Sequence, residues 1–300
     1  MDLARANRDL TQFEALRSEL TGLAYRMLGD VGRAQDLVQE AWLRWHQRQV
    51  EVDSPKAFLL TIVTRLCLNE LDSARARREE SRGDRLPEPV QLGEVGLDRV
   101  EALEQVSMAF LVILERLSAA ERAAFLLHDV FDFTHDEIAP LVSRTPAASR
   151  KLLERARDKM TAGRRLVTAS RDEHERLLGG FLASVAAGNV AGLVELLAHD
   201  AVIVTDGGAS GRSVGQRRNL QQPLQGAARV AAFVVAAAQS VQLEVERREL
   251  NGRPGLVFYR GDAPFAALQL AVADGRVQQV FFHADLSRLG HLGARAMARE

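Results

Sequence analysis

Between Arg144 and Arg165 the chain carries Arg144, Arg150, Lys151, Arg155, Arg157, Lys159, Arg164 and Arg165 against only Glu154 and Asp158. Cations this dense can neutralise phosphates and release their counterions, the chemistry of nucleic-acid binding. The same residues could equally form the solvated face of a bundle helix, and charge alone leaves both readings open. A second candidate chemistry lies far downstream, where Asp206 and His283 would make an acid/base pair if they converged in a pocket within reach of a substrate. Asp206 precedes Gly207 and Gly208, which is also turn chemistry, so the expected catalytic set is empty and the protein is not read as an enzyme. No HExxH, paired-cysteine or phosphate-loop pattern occurs, so neither a metal nor a cofactor is expected.

The basic cluster needs elements to position it, and three helix starts precede or contain it. Ser118 with Glu121 and Thr134 with Glu137 both have the spacing of a capping box, in which hydroxyl and carboxylate satisfy orphan backbone donors. Thr145 before Pro146 is a cap followed by a residue whose missing N–H costs nothing at the first helical position. Two compact helices separated by Ser143 and Arg144 follow a longer one, which is the plan of a helix-turn-helix. The last helix places Ala148, Leu152, Leu153 and Ala156 at the spacing of a core-facing stripe, leaving another face for DNA. Pro140 should end the middle helix early or bend it.

The bulk numbers set limits on the rest. Three hundred residues, 47% hydrophobic and 26% charged, suggest two or three domains with buried cores. A net charge of -1 means that any nucleic-acid binding must come from local patches. The single cysteine, Cys67, reads as a small buried apolar residue. The opening MDLARANRDL has no apolar signal region and the apolar run from Ala227 to Ala238 is short, so a cytoplasmic protein without membrane contact is expected.

Upstream, Phe13, Leu16, Leu20, Leu23, Ala24 and Met27 recur at helical spacing, and a second helix follows from about Arg33 to Gln47. Asp53-Ser54-Pro55 starts a third, which becomes arginine-rich at Arg75, Arg77, Arg78 and Arg82. The polar stretch from Ser81 to Gly96 contains Leu86-Pro87-Glu88-Pro89, which alone reads as a stiff, extended tether. Downstream the pattern changes: helices at Glu173 to Ala187 and Val190 to Ala198, split by Gly188-Asn189, a strand at Ala201 to Asp206, and a helix at Ala227 to Ala238. Strands around Val241 to Val245, Leu256 to Arg260, Pro264 to Ala273 and Arg276 to His283 are joined in part by Asn251-Gly252 and Asp274-Gly275 hairpins. Helices followed by an antiparallel sheet read as a separate α+β domain.

DLVQEAWLRWHQ, SPKAFLLTIVTRLCLNELDSARARRE and LSAAERAAFLLHDVF with RKLLERARDKM, in that order from Phe13 to Leu166, resemble regions 2 and 4 of bacterial extracytoplasmic-function sigma factors. The LPEP stretch, TDGG at Thr205 to Gly208 and DGRVQQVFFHADLSRL resemble the subgroup that carries a SnoaL-like C-terminal extension, a cone-shaped α+β domain of the nuclear-transport-factor-like kind. The resemblance implies a multidomain protein: two all-α sigma modules, region 2 over residues 8–82 and region 4 over 101–168, a linker over 83–100, and the SnoaL-like domain over 171–300. It implies that Asp36, Gln39, Glu40, Trp42 and Leu43 dock on the RNA polymerase core. Arg65, Asn69, Arg75, Arg77 and Arg78 would meet the minus-ten element of promoter DNA, and Arg144, Thr145, Ala147, Ala148, Arg150, Lys151 and Arg155 the minus-thirty-five element. Leu86, Pro87, Glu88 and Pro89 become a regulatory linker, and an intramolecular contact between the C-terminal domain and the sigma modules is expected to tune activity. The alternatives are a stand-alone helix-turn-helix regulator with a ligand-sensing domain, or a small-molecule enzyme in the C-terminal half with Asp206 and His283 in its pocket.

Overall fold

A computed structural model describes residues 3–48, 50–78, 85–93, 106–163, 166, 169–208, 213–214, 217–218, 220 and 222–295. The chain divides into two compact units. The first takes residues 3–78 and 113–162 of the described chain, the second residues 85–93, 106–112 and those from Gly163 onward.

The first unit begins with three helices, α1 (Leu3–Leu28), α2 (Val31–His46) and α3 (Pro55–Arg78). Gly29, at φ +66°, turns the chain after α1, and the Asp30 carboxylate accepts from the Arg33 N–H to start α2. Their apolar stripes meet in a core of Phe13, Leu20, Leu23, Met27, Val38, Leu59 and Val63. Trp45 is fully buried in it and donates its indole N–H to the Asp9 carbonyl at 3.1 Å. Arg48 stacks 3.3 Å above the Trp45 ring and makes two bonds, 2.7 and 2.9 Å, to the Asp9 carboxylate, holding that group below the usual carboxylate range. Cys67 is buried, as expected of a packing residue, and burial pushes its thiol pKa up.

The rest of this unit is α5 (Ala119–Asp129), α6 (His135–Leu141) and α7 (Pro146–Gly163), after a helix α4 (Met108–Glu115) whose last residues belong here. Both capping boxes form, at Ser118/Glu121 and Thr134/Glu137, and the Thr145 hydroxyl accepts from the Ala148 N–H at 3.3 Å. Pro140 lies one residue from the end of the seven-residue α6, the early stop its missing N–H predicts. Ser143 takes the left-handed turn position, φ +52°, that glycine would occupy without strain. Arg122 of α5 is buried and donates to the Met27 carbonyl at the end of α1.

The second unit contains α8 (Arg171–Ala186), α9 (Val190–Leu196), β1 (Leu197–Asp206), the short strands β2 (Ser213–Val214), β3 (Arg217–Arg218) and β4 (Leu224–Gln225), then α10 (Ala227–Gln239). Four strands close it: β5 (Glu244–Leu250), β6 (Arg253–Arg260), β7 (Ala263–Ala273) and β8 (Arg276–His283). The six-stranded sheet runs β4-β1-β8-β7-β6-β5, while β2 and β3 pair separately. Asn251-Gly252 and Asp274-Gly275 all have positive φ, as two-residue hairpin turns require. The sheet is mixed, not wholly antiparallel as the sequence suggested, because β8 inserts between β7 and β1 and runs parallel to β1. One face packs Leu177, Phe181, Leu193, Val230 and Val234 of the three helices against Leu256, Leu268, Val277 and Val280. On the other face Leu86, Met108 and Ala109 pack with Ala271 and Phe281, and Val204 lies against them.

Candidate functional site

The α7 helix presents two kinds of cation. Arg144 before it, and Arg150 and Lys151 on its second turn, are exposed, together with Thr145 and Ala147, while Ala148 is half-buried. Leu152, Leu153 and Ala156 hold the opposite face in the core. The other three basic side chains are tied to acids of α5: Arg155 and Lys159 to Glu121 at 3.0 and 2.8 Å, and Arg157 to Asp129 at 2.6 Å. Burial would raise the Glu121 pKa, but the Lys159, Ser118 and Arg155 hydrogen bonds outweigh it and bring it down to about 2. Glu121 was read only as a capping carboxylate and Asp129 not at all; they lie 28 to 38 residues from these partners, and nothing within α7 announces them. The His135 ring meets the Ser149 hydroxyl at 3.2 Å, joining the start of α6 to α7. Desolvation, then the neighbouring His128, Arg150 and Arg157, lowers the His135 pKa.

On α2, Asp36, Gln39 and Leu43 are exposed and Glu40 half-buried, all on one helical stripe at three-to-four spacing. Leu43 is 51% exposed, an apolar side chain facing solvent amid charge. Arg33 pairs with both Asp36 and Glu70, and Arg44 with Glu40. Trp42, half-buried, packs its ring 5.0 Å from that of Phe13. On α3, Arg65 and Asn69 are exposed one turn apart. The side chains of Arg75, Arg77 and Arg78 lie outside the described residues.

In the second unit the LPEP stretch is not a free tether. Leu86, Pro87, Glu88, Pro89 and Val90 are all buried. Their anchor is Arg288, in a short helical turn after β8, whose guanidinium reaches Glu88 at 3.0 Å, Asp206 at 2.8 Å and the Leu86 carbonyl at 2.5 Å. Asp206 also accepts from the Leu86 and Gly208 N–H groups, and the Val90 and Asn251 backbones are joined by two bonds, one through the Asn251 side chain. His291 meets the Pro89 carbonyl at 2.7 Å and Arg248 bonds the Gln91 side chain. The tether expectation fails because a proline segment, pre-extended and with few donors of its own, fits a groove whose walls supply the missing partners. Arg288 lay within the quoted DLSRL run, but its sequence neighbours gave no sign of burial.

Asp206 and His283 do come together, as register partners on β1 and β8. They do not lie in the domain's cavity. The cavity, about 340 Å³, receives Ile203 and Phe282, and strand alternation sends Asp206 and His283 to the opposite face, where Leu86 and Arg288 sit. The pocket assignment of both residues is therefore corrected. His283 is buried beside Arg288, which together push its pKa down to about 3, and among the described residues its Nε2 has no hydrogen-bond partner.

The chain matches the sigma-70 region 2 family over residues 12–77 and the sigma-70 region 4 family over residues 107–160. It is 36% identical over 285 residues to the extracytoplasmic-function (ECF) RNA polymerase sigma factor SigJ of Mycobacterium tuberculosis, covering 90% of this chain and 89% of that one. The chain thus belongs to the ECF RNA polymerase sigma factors. A probable ECF sigma factor of the same organism, SigI, is 28% identical over 290 residues, covering 94% and 95% of the two chains. The crystal structure of M. tuberculosis SigJ aligns with a TM-score of 0.71 at 30% identity, covering 94% of this chain and 98% of that one. Among the described residues no helix is long and apolar enough to cross a membrane.

Proposed function

We propose that this sigma factor docks on the polymerase core through the outward stripe of α2 (Asp36, Gln39, Glu40 and Leu43, braced by Trp42), and meets the minus-ten element through α3 at Arg65 and Asn69. Arg144, Arg150 and Lys151, with Thr145, Ala147 and Ala148 around them, read the minus-thirty-five element. Arg155 is a reserve cation, because Glu121 already holds it. The C-terminal domain tunes this activity without chemistry of its own, by gripping the segment that joins the two sigma modules. The cytoplasm, where promoter DNA and polymerase meet, is its place of action.

The observation that carries the regulatory reading is the Arg288 cluster on Leu86, Glu88 and Asp206. Grip on this segment limits how far the modules can part. With Leu86 held, the seven residues 79–85 after α3 span at most about 25 Å fully extended, whereas the 29 residues 79–107, if released, reach roughly 100 Å. Reading two separated promoter boxes needs that reach. It also needs the Arg122 contact to the Met27 carbonyl to give way.

Run-off transcription with bacterial core polymerase tests both parts. The wild-type chain should start transcripts at a position core alone does not use; no binding to core and no new start would end the sigma reading. Glu88→Gln and Arg288→Met should change promoter output several-fold while core affinity stays the same. Output unchanged in both variants would remove the regulatory role and leave the sigma role standing.

A further inference from the structure

The cavity of the second unit lies between α8, α10 and the sheet, and its lining is one-sided in chemistry. Four phenylalanines, Phe181, Phe233, Phe258 and Phe282, face it with aliphatic side chains, and Gln239, exposed at the end of α10, is the single polar side chain among the lining residues. Among the described residues no titratable group lines it. Val245, on the wall, is 40% exposed, so solvent reaches the space. A void of about 340 Å³ is at the small end of the range that holds small molecules, roughly 300–1,000 Å³. Water gains few hydrogen bonds against such walls, so a solute that replaces it loses nothing polar and covers aromatic surface. A charged ligand would leave its hydration shell with no counter-ion to meet it.

We propose that this cavity is a binding site for an uncharged, mainly apolar small molecule whose one polar group sits at the mouth beside Gln239. The site excludes the corresponding anions by leaving their charge unpaired. It binds rather than transforms its ligand, since among the described residues no acid, base or nucleophile borders the space. The inference does not depend on promoter recognition, and its test needs no polymerase.

The test titrates N-phenylnaphthylamine, an uncharged fluorophore, into the full-length protein and displaces it with dodecanol or with laurate, which differ at the end group in charge. Saturable single-site binding is expected, with dodecanol displacing at a concentration at least about tenfold below that of laurate. Ala237→Phe, which fills the cavity, should weaken probe binding by at least about tenfold, while Ala232→Phe, on the exposed outer side of α10, leaves it unchanged. If Ala237→Phe lowers the melting temperature, Val245→Gln at the solvent-reached wall replaces it and should weaken binding several-fold. Absence of saturable binding, equal displacement by laurate, or full binding in the cavity variant that folds overturns the proposal.

Discussion

Arg155 and Arg288 are both arginines held by carboxylates, but in different surroundings. The Arg155 side chain is 56% exposed and shares Glu121 with Lys159; that of Arg288 is 7% exposed and bridges Glu88 and Asp206, themselves 7% and 6% exposed. If Arg155 swings away, water replaces part of its bond and Lys159 remains on Glu121. If Arg288 leaves, two buried carboxylates lose the guanidinium that bridges them. Exposed pairs contribute about 0–1 kcal/mol, whereas removing one partner of a buried pair costs about 3–5 kcal/mol. The first arginine can therefore be lent to a phosphate; the second can act only as part of a two-state contact, fully made or fully undone.

The largest test of that contrast is Arg288→Met, expected to destabilise the second unit by about 3–5 kcal/mol in urea denaturation, against under about 1 kcal/mol for Arg155→Met in the first. Adding Glu88→Gln and Asp206→Asn to the Arg288 variant should restore much of the loss, since the stranded charges go with them. Equal losses at the two arginines would break the comparison.

Glu121 comes next. Its carboxyl titrates at about 2 in the folded protein, below the ordinary 4.5, so its stabilising effect is complete above about pH 4.5 and is lost as the pH falls from there towards 2. Glu121→Gln should cost about 2–3 kcal/mol at neutral pH. In denaturation curves the gap between wild type and variant should narrow steadily below pH 4.5; a gap independent of pH would show that the two cations contribute nothing through charge.

DNA affinity sharpens the contrast within α7 itself. Arg150→Ala and Lys151→Ala should each weaken promoter-fragment binding by the holoenzyme, by about 1–3 kcal/mol where a base is read, and by a uniform loss with a shallower salt dependence where a phosphate is held. Arg155→Ala should lose less, because Glu121 competes for it. The smallest effect is at the turn: Ser143→Gly should stabilise the first unit by about 0.5–1 kcal/mol, since glycine adopts the positive φ there without a Cβ clash, and thermal unfolding reads it.

What could be read from the sequence was local. Ser118, Thr134 and Thr145 each declare a helix start within four residues, Asn251-Gly252 and Asp274-Gly275 declare their turns, and the stripe through Leu152, Leu153 and Ala156 declares its buried face. The outward residues of α2 were named through the family resemblance, not through periodicity. Contacts between distant segments left no such mark. Arg288 meets partners 82 and 200 residues away, and the parallel pairing of β1 with β8 depends on a strand that the chain reaches after four others of the sheet. Arginine is seldom buried, so nothing in DLSRL marked it as interior. Asp206 was read as a turn residue and as a possible acid; its Oδ1 accepts from the Gly208 N–H as a turn residue's should, yet its Oδ2 is taken by Arg288 and Leu86.

The 200-residue separation of Glu88 and Arg288 also has a meaning in time. Ribosomes add about 5–20 residues per second, so Glu88 is made some 10–40 s before its cation exists. Both helical modules are complete before that interval ends, and each newly born molecule passes through a stage in which the fastening has not yet been translated.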